Sequence, residues 1–155
     1  MQVTLVTFPE TRVAALTHRG APYRENETAR KLVAWKLAHG LRDPARHRHY
    51  ALHHTDPRTV SPDQHRVDFC LSFDGDLEPN EDGIFLMTIP AMRCALARDV
   101  GSRHDNRAAR YLYDEWLPTS GHRMANAPVL FHYVNVGPGV RDEDAITDVY
   151  LPLAP

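Results

Sequence analysis

Apolar and polar positions along the chain run through the same succession of patterns twice. Val3–Phe8 and Ile84–Ile89 are extended apolar and β-branched runs, each ending at a proline, Pro9 or Pro90. Second extended runs follow at Arg12–His18 and Arg93–Asp99. Proline cannot donate to a strand ladder, so Pro9 and Pro90 mark the turns between strands. A helical stretch comes next in each half. In NETARKLVAWKLAHG, Ala29, Leu32, Val33, Trp35 and Leu37 fall along one stripe, and Gly40 stands where a C-cap glycine belongs. In DNRAARYLYDEWLPTSG, Asp105 and Asn106 are candidate N-caps, and the helix is expected to stop by Pro118. Two further extended runs close each half: His49–His54 with Val67–Phe73, and Val129–Val136 with Thr147–Leu153. The loops TDPRTVSPDQ and GPGVRDEDA carry turn chemistry.

The repetition extends to identities. IFLMTIPAMR repeats VTLVTFPETR at an offset of 81, and the only two tryptophans, Trp35 and Trp116, stand the same distance apart. Gly40 meets Gly121 and Pro57 meets Pro138; near the ends of the halves the offset slips to 80, where DFCL meets DVYL. Self-similarity at a long fixed period predicts a duplicated unit. The fold class expected is α+β: two βαββ halves, residues 3–73 and 84–153, form a single domain over 1–155. The halves carry pseudo-twofold symmetry, a mainly antiparallel sheet with two helices, and a central groove.

Composition narrows the function. Hydrophobic residues at 43% and charged residues at 25% of 155 positions are ordinary for a globular chain. The longest apolar run, Ile84–Met92, is far shorter than the roughly 20 residues of a membrane helix. The N-terminus reads as a strand and not as a signal peptide, so a cytoplasmic location without membrane contact is expected. Cys70 and Cys94 lie in apolar runs and read as small core residues. Eighteen basic against twenty acidic residues give a net charge of −2 and no basic stripe, which argues against direct nucleic-acid binding. The one basic cluster, RHRH at residues 46–49, reads as a solvated loop.

Ligand sites favour the seams of duplicated domains. Tyr50 and Leu52 alternate on the third strand of the first half, and Phe131 and Tyr133 take the matching places in the second. These pairs are candidates to line the groove; the alternative is that one pair joins the tryptophans in the core.

At DEWLPTSGHRMANAPVLFHYVN and TDVYLPL the sequence resembles the GyrI-like family of gyrase-inhibitor and multidrug effector-binding domains, also found fused behind AraC-type and MerR-type DNA-binding domains. The motifs are a Trp-Leu-Pro-x-Ser-Gly helix end, a strand of the form Pro-x-Phe-Glu-x-Tyr-x-Asn, and a closing Thr-Asp-x-Tyr-x-Pro-Leu. RVAALTHRG and DPRTVSPDQHRVDFCLSF match as well, so the resemblance covers essentially the whole chain. It implies a groove for bulky, often aromatic and cationic molecules. Members act as effector sensors, as gyrase inhibitors, or in one branch as hydrolases of cyclopropane-containing drugs. By the motifs, Trp116 resembles the helix aromatic at the groove, Tyr133 the strand tyrosine and Tyr150 the aromatic of the closing strand. The family's groove glutamate falls at position 131, where this chain has phenylalanine. A buried carboxylate selects cations and serves as acid or base; phenylalanine does neither and retains a flat apolar face for stacking with a weak cation–π attraction.

The expected ligand-contact set is Trp35, Tyr50, Leu52, Trp116, Phe131, Tyr133 and Tyr150, with no catalytic group. His47, His49, His53 and His54 lack a completing ligand for a metal, and no cofactor fingerprint is present, so neither metal nor cofactor is expected. Asp68 and Asp148 read as strand-start carboxylates accepting backbone N–H bonds. Because a strand begins at Val3, a free-standing binding protein is expected, a sensor or sequestering module for a hydrophobic or aromatic small molecule. As part of a longer chain it would be the effector half of a regulator. The rival readings are a hydrolase of strained molecules and a stoichiometric inhibitor with DNA gyrase or a separate regulator as partner.

Overall fold

The computed structural model describes residues 1–155. Eight strands form, at β1 (Thr4–Phe8), β2 (Thr11–Arg19), β3 (His49–His53), β4 (Arg66–Ser72), β5 (Phe85–Ile89), β6 (Met92–Val100), β7 (Val129–Tyr133) and β8 (Ile146–Pro152). Helix α1 (Glu25–Ala38) follows β2. After β6 come α2 (Arg107–Tyr111), a π-helical turn (Leu112–Trp116) and α3 (Leu117–Ser120), one unbroken helical segment over 107–120.

Two compact units result, Glu10–Pro90 on one hand and Met1–Pro9 with Ala91–Pro155 on the other. Each is a four-stranded antiparallel sheet with one helical segment on one face. The order is β5-β2-β4-β3 in the first and β1-β6-β8-β7 in the second. Strand β1 therefore pairs with β6, and β5 with β2, so the opening strand of each sequence half belongs to the other half's unit. The prolines are not hairpin turns between partners. Pro9 and Glu10 would form a two-residue hairpin loop between Phe8 and Thr11. Such loops need positive φ at their first position, which proline's ring forbids.

The duplication is exact in register. Phe8 faces Met92 as Ile89 faces Thr11, and Ala14 faces Leu71 as Ala95 faces Leu151. Tyr50 faces Cys70 as Leu130 faces Tyr150, which puts the slip from 81 to 80 before the third strand and not near the ends of the halves.

Alternation then sorts the faces. Toward α1, which packs on β2 and β4, point Ala14, Leu16, Ala51, Phe69 and Leu71, all buried, together with Leu32 and Trp35 of the helix. The stripe read from sequence is narrower in fact: Leu32 and Trp35 are buried, whereas Val33 and Leu37, one position further round, are exposed. In the other unit Ala95, Ala97, Val129, Val149, Leu151 and Leu153 pack with Ala108 and Leu112. Alanines beneath both helical segments let helix and sheet approach closely.

Polar groups in these sheets are matched by side chains. Asp68 is buried and accepts from Thr17 Oγ1 at 2.6 Å, His54 Nε2 at 2.8 Å and Arg66 at 3.3 Å. Burial pushes its carboxyl up, but the bonds from His54 and Thr17 and the charges of His54 and Arg66 hold it below the usual range. Asp148 takes two bonds from Arg98, at 2.7 and 3.0 Å. Both aspartates thus bind side chains across the ladder where backbone N–H groups were expected. The RHRH stretch is only partly solvated: His47 is buried, and Arg48 Nε donates to Tyr50 Oη at 2.7 Å. Cys70 and Cys94 are buried free thiols, and burial pushes Cys94 up to about 11. No helix is long and apolar enough to cross a membrane.

Candidate ligand-binding site

The helical segment 107–120 starts cleanly. Asn106 caps it, its Oδ1 accepting from the Ala109 N–H at 3.0 Å. It does not stop before Pro118 as the sequence suggested. A proline there withholds the N–H owed to the Asp114 carbonyl and crowds that carbonyl with its ring. The chain widens instead, the Leu117 N–H bonding to Leu112 O five residues back, and the segment ends at Gly121 in the left-handed conformation (φ 76°). The π turn carries Trp116 at its end. Trp116 is half-buried, packs against the Leu112–Val129 core, and stacks on His122 with ring centroids 5.7 Å apart and planes 13° from parallel.

Strand β7 supplies the facing wall. Val129 belongs to the core beneath the helical segment, so Phe131 and Tyr133, two and four residues on, point the same way. Phe131 packs on that core and remains half-exposed, as does Tyr133. The guanidinium carbon of Arg103 lies 5.0 Å from the centre of the Tyr133 ring. Asn135 ties the strand's end to the following loop: its Oδ1 accepts from Ile146 N at 2.7 Å and its Nδ2 donates to Asp144 O at 2.9 Å. Trp116, Phe131, Tyr133 and Arg103 thus form a strip of flat, partly exposed groups within one unit. Position 131 contributes no carboxylate, and His132 points to the opposite face, opposite Asp148.

The remaining expected contacts lie elsewhere. Because the third strands match at 80, Tyr50 is equivalent to Leu130 and Leu52 to His132. The symmetric pairing of Tyr50 with Phe131 and of Leu52 with Tyr133 is therefore wrong by one residue, and one residue turns a strand side chain to the other face. Tyr50 and Leu52 are buried on the face away from α1. Tyr150 likewise points away from its unit's helical segment, with its ring edge-on to Phe8 at 5.2 Å. Trp35 is buried beneath α1 against Phe73 and His39, at 5.3 and 4.7 Å. Arg103 and His122 were missed by sequence reading, since nothing in a loop arginine or a lone histidine announces an aromatic partner.

Two other arrangements differ in character. The imidazoles of the first unit are drawn into separate hydrogen bonds, His49 with Lys36 (2.9 Å), His54 with Asp68 and His65 with Glu25 (2.9 Å), and no three ligating groups converge on a point suited to a metal. An open surface concavity of about 400 Å³ lies beside Met1 along the helical segment. Its lining of Arg107, Arg110, Asp114 and Glu115 beside Tyr111 and Met1 is mostly charged, unlike the apolar wall that encloses an aromatic ligand.

Residues 1–154 match the sequence profile of the GyrI-like small molecule binding domain. The probable transcriptional regulator YgiV of Escherichia coli K12 is 34% identical over 155 residues, covering 99% of this chain and 97% of that protein. A DNA gyrase inhibitor of Erwinia billingiae Eb661 is 30% identical over 159 residues, covering 99% and 98%. Among solved structures, the C-terminal domain of EcmrR superposes with a TM-score of 0.75 at 19% identity, covering 99% of this chain and 97% of that one. In the EcmrR–DNA complex the chain spans 57% of the EcmrR protein, at a TM-score of 0.76.

Proposed function

Since the chain belongs to the GyrI-like small molecule binding domain family, we propose that it binds bulky planar aromatic molecules as a sensor or sequestering module, with Trp116, Phe131 and Tyr133 as the contact surface. The observation that carries this reading is the strip itself. Three large aromatic side chains from a strand and a π-helical turn share one face and remain partly exposed, which leaves ring surface open for a ligand to cover. π-helical turns recur at functional sites, and here the widened turn sets the position of Trp116. With phenylalanine at 131, the strip stacks on a ring without supplying a general acid or base, so binding without turnover is the expected behaviour.

Titration with planar aromatic compounds, followed by tryptophan emission and by thermal shift, tests the reading. Saturable binding is expected, weakened at least fivefold by Trp116→Ala or Tyr133→Ala and unchanged by Tyr50→Phe. Equal affinity in all three variants would remove the strip from the site. A second reading, stoichiometric inhibition of DNA gyrase, is motivated by the 30% identical relative of that name. A supercoiling assay with equimolar protein separates the two, loss of gyrase activity without any small molecule favouring the inhibitor.

A further inference from the structure

Arg103 stands in the turn between β6 and α2, and its side chain reaches across to the end of β7. Its Nε donates to Thr147 Oγ1 at 3.2 Å. Its Nη2 donates to the carbonyl oxygens of Asn135 and Ile146, at 2.7 and 3.0 Å, and to Asn135 Oδ1 at 3.2 Å. Thr147 faces Tyr133 in the β7–β8 register, so this anchorage lies on the same side as the aromatic strip. Four bonds fix the guanidinium over the Tyr133 ring, and all four acceptors are neutral oxygens.

Charge balance is the unusual feature. Arg98, Arg107 and Arg110 of the same unit each meet an aspartate, Asp148, Asp99 and Asp105, within 3.0 Å. Arg103 meets no carboxylate at ion-pair distance, and Asp142 acts on it only from further away. Its Nη1 takes part in no hydrogen bond within the protein and is not sealed from solvent. Burial disfavours its charge, which Tyr133 and then Asp142 partly offset, so a charge at the end of the strip is held partly desolvated without a full counter-ion. Such a group gains from a ligand anion, because the charge-assisted bond replaces hydration it has already lost. The same fixed charge repels a cation, and Phe131 brings no carboxylate to offset that repulsion.

We propose that Arg103 makes this an anion-selecting site whose ligand is a planar aromatic acid, its ring on Phe131 and Tyr133 and its carboxylate on Arg103 Nη1. The assignment rests on the small-molecule-binding reading above and specifies the ligand class of that site.

Three probes of matched shape test it: 2-naphthoate, 2-naphthalenemethanol and 2-naphthylmethylammonium, each titrated into the full chain. The carboxylate is expected to bind at least tenfold more tightly than the alcohol, and the ammonium more weakly than either. Raising sodium chloride from 50 to 500 mM is expected to weaken the carboxylate severalfold and leave the alcohol unchanged. Arg103→Gln is expected to abolish the carboxylate's tenfold advantage over the alcohol and its response to salt. Arg103 holds four bonds, so should that variant fail to fold, the charge series and the salt response of the unaltered protein decide alone. If the alcohol binds as tightly as the carboxylate, the anion assignment is overturned while the aromatic site stands. If none of the three binds, both are overturned.

Discussion

His53 lies on the α1-facing side of β3, with His54 and His65 as neighbours and its Nε2 shielded from solvent. Burial, and then the charges of His65 and His54, push its pKa down from 6.5 to about 4. The folded state therefore favours the neutral ring, whereas the unfolded chain takes up a proton near 6.5. Its contribution to stability is complete above that value and is lost as pH falls from about 6.5 toward 4. Allowing for its partial exposure, the loss is about 1–3 kcal/mol. Urea melts at pH 7 and pH 5 measure it, and the fall is expected to shrink in His53→Asn. An equal fall in that variant would assign the titration to another histidine. None of this is legible in the sequence, where His53 stands out only as one of four histidines weighed for a metal. The proposed aromatic strip is legible in part, and for a definable reason. Trp116, Phe131 and Tyr133 sit in motifs that the structure places at the end of the π turn and along β7. Tyr50 and Leu52 follow from a symmetry argument carried over at 81, and the link from Gly40 to β3 is one residue longer than that from Gly121 to β7. A loop residue costs little energy and leaves no hydrophobic signature, yet it decides which face a strand residue occupies.

At the scale of elements, strands are the easiest to read, because their β-branched and apolar runs are bounded by Pro9, Gly20, Pro90, Gly101 and Pro128 at β1, β2, β5, β6 and β7. The helical segment 107–120 was harder. Pro118 reads locally as a stop, and only the packing of Leu112, Trp116 and Leu117 on β6, β7 and β8 keeps the chain helical past it. The proline and the π turn belong together: with no N–H at 118, the widened turn is the arrangement that leaves the Asp114 carbonyl free of the ring. Pro118→Ala restores the donor and removes the clash, so the segment is expected to relax toward a regular α-helix. Thermal stability should hold or rise, while Trp116 rotates and its emission shifts, read cleanly in a Trp35→Phe background. Loss of affinity for aromatic ligands with unchanged stability would accompany that rotation. An unchanged Trp116 emission would mean that packing, and not the proline, imposes the π turn.

At the scale of the whole molecule, the duplicated sequence and the compact units do not share boundaries. Sequence halves begin at β1 and β5, but β1 completes the sheet of β6, β8 and β7, and β5 completes that of β2, β4 and β3. Both opening strands carry the same burial pattern and share a leucine and a threonine, Leu5 with Leu86 and Thr7 with Thr88, so β1 has the chemistry to pair with β2 as β5 does. Proline at the first place of a two-residue loop removes that option, because the primed turns that close such hairpins need positive φ there. Positive φ in this protein occurs only at glycines. The exchange is thus written in Pro9 and Pro90, and it dictates which fragment folds. Residues 10–90 contain a complete unit in one stretch. Residues 1–81 lack β5, exposing the β2 edge at Val13, Ala14 and Ala15, all fully buried in the intact chain. The 10–90 fragment is expected to show a cooperative thermal transition and dispersed amide spectra, though with a small core and modest stability. The 1–81 fragment is expected to show neither and to self-associate through its open edge. Replacing Pro9 and Glu10 in that fragment by Asn and Gly supplies a turn that a hairpin accepts, so Pro9→Asn with Glu10→Gly should let β1 fold back onto β2 and recover the transition. Cooperative folding of the unmodified 1–81 fragment would show that β1 takes the place of β5 despite the proline, and the prolines would then have no part in setting the strand exchange.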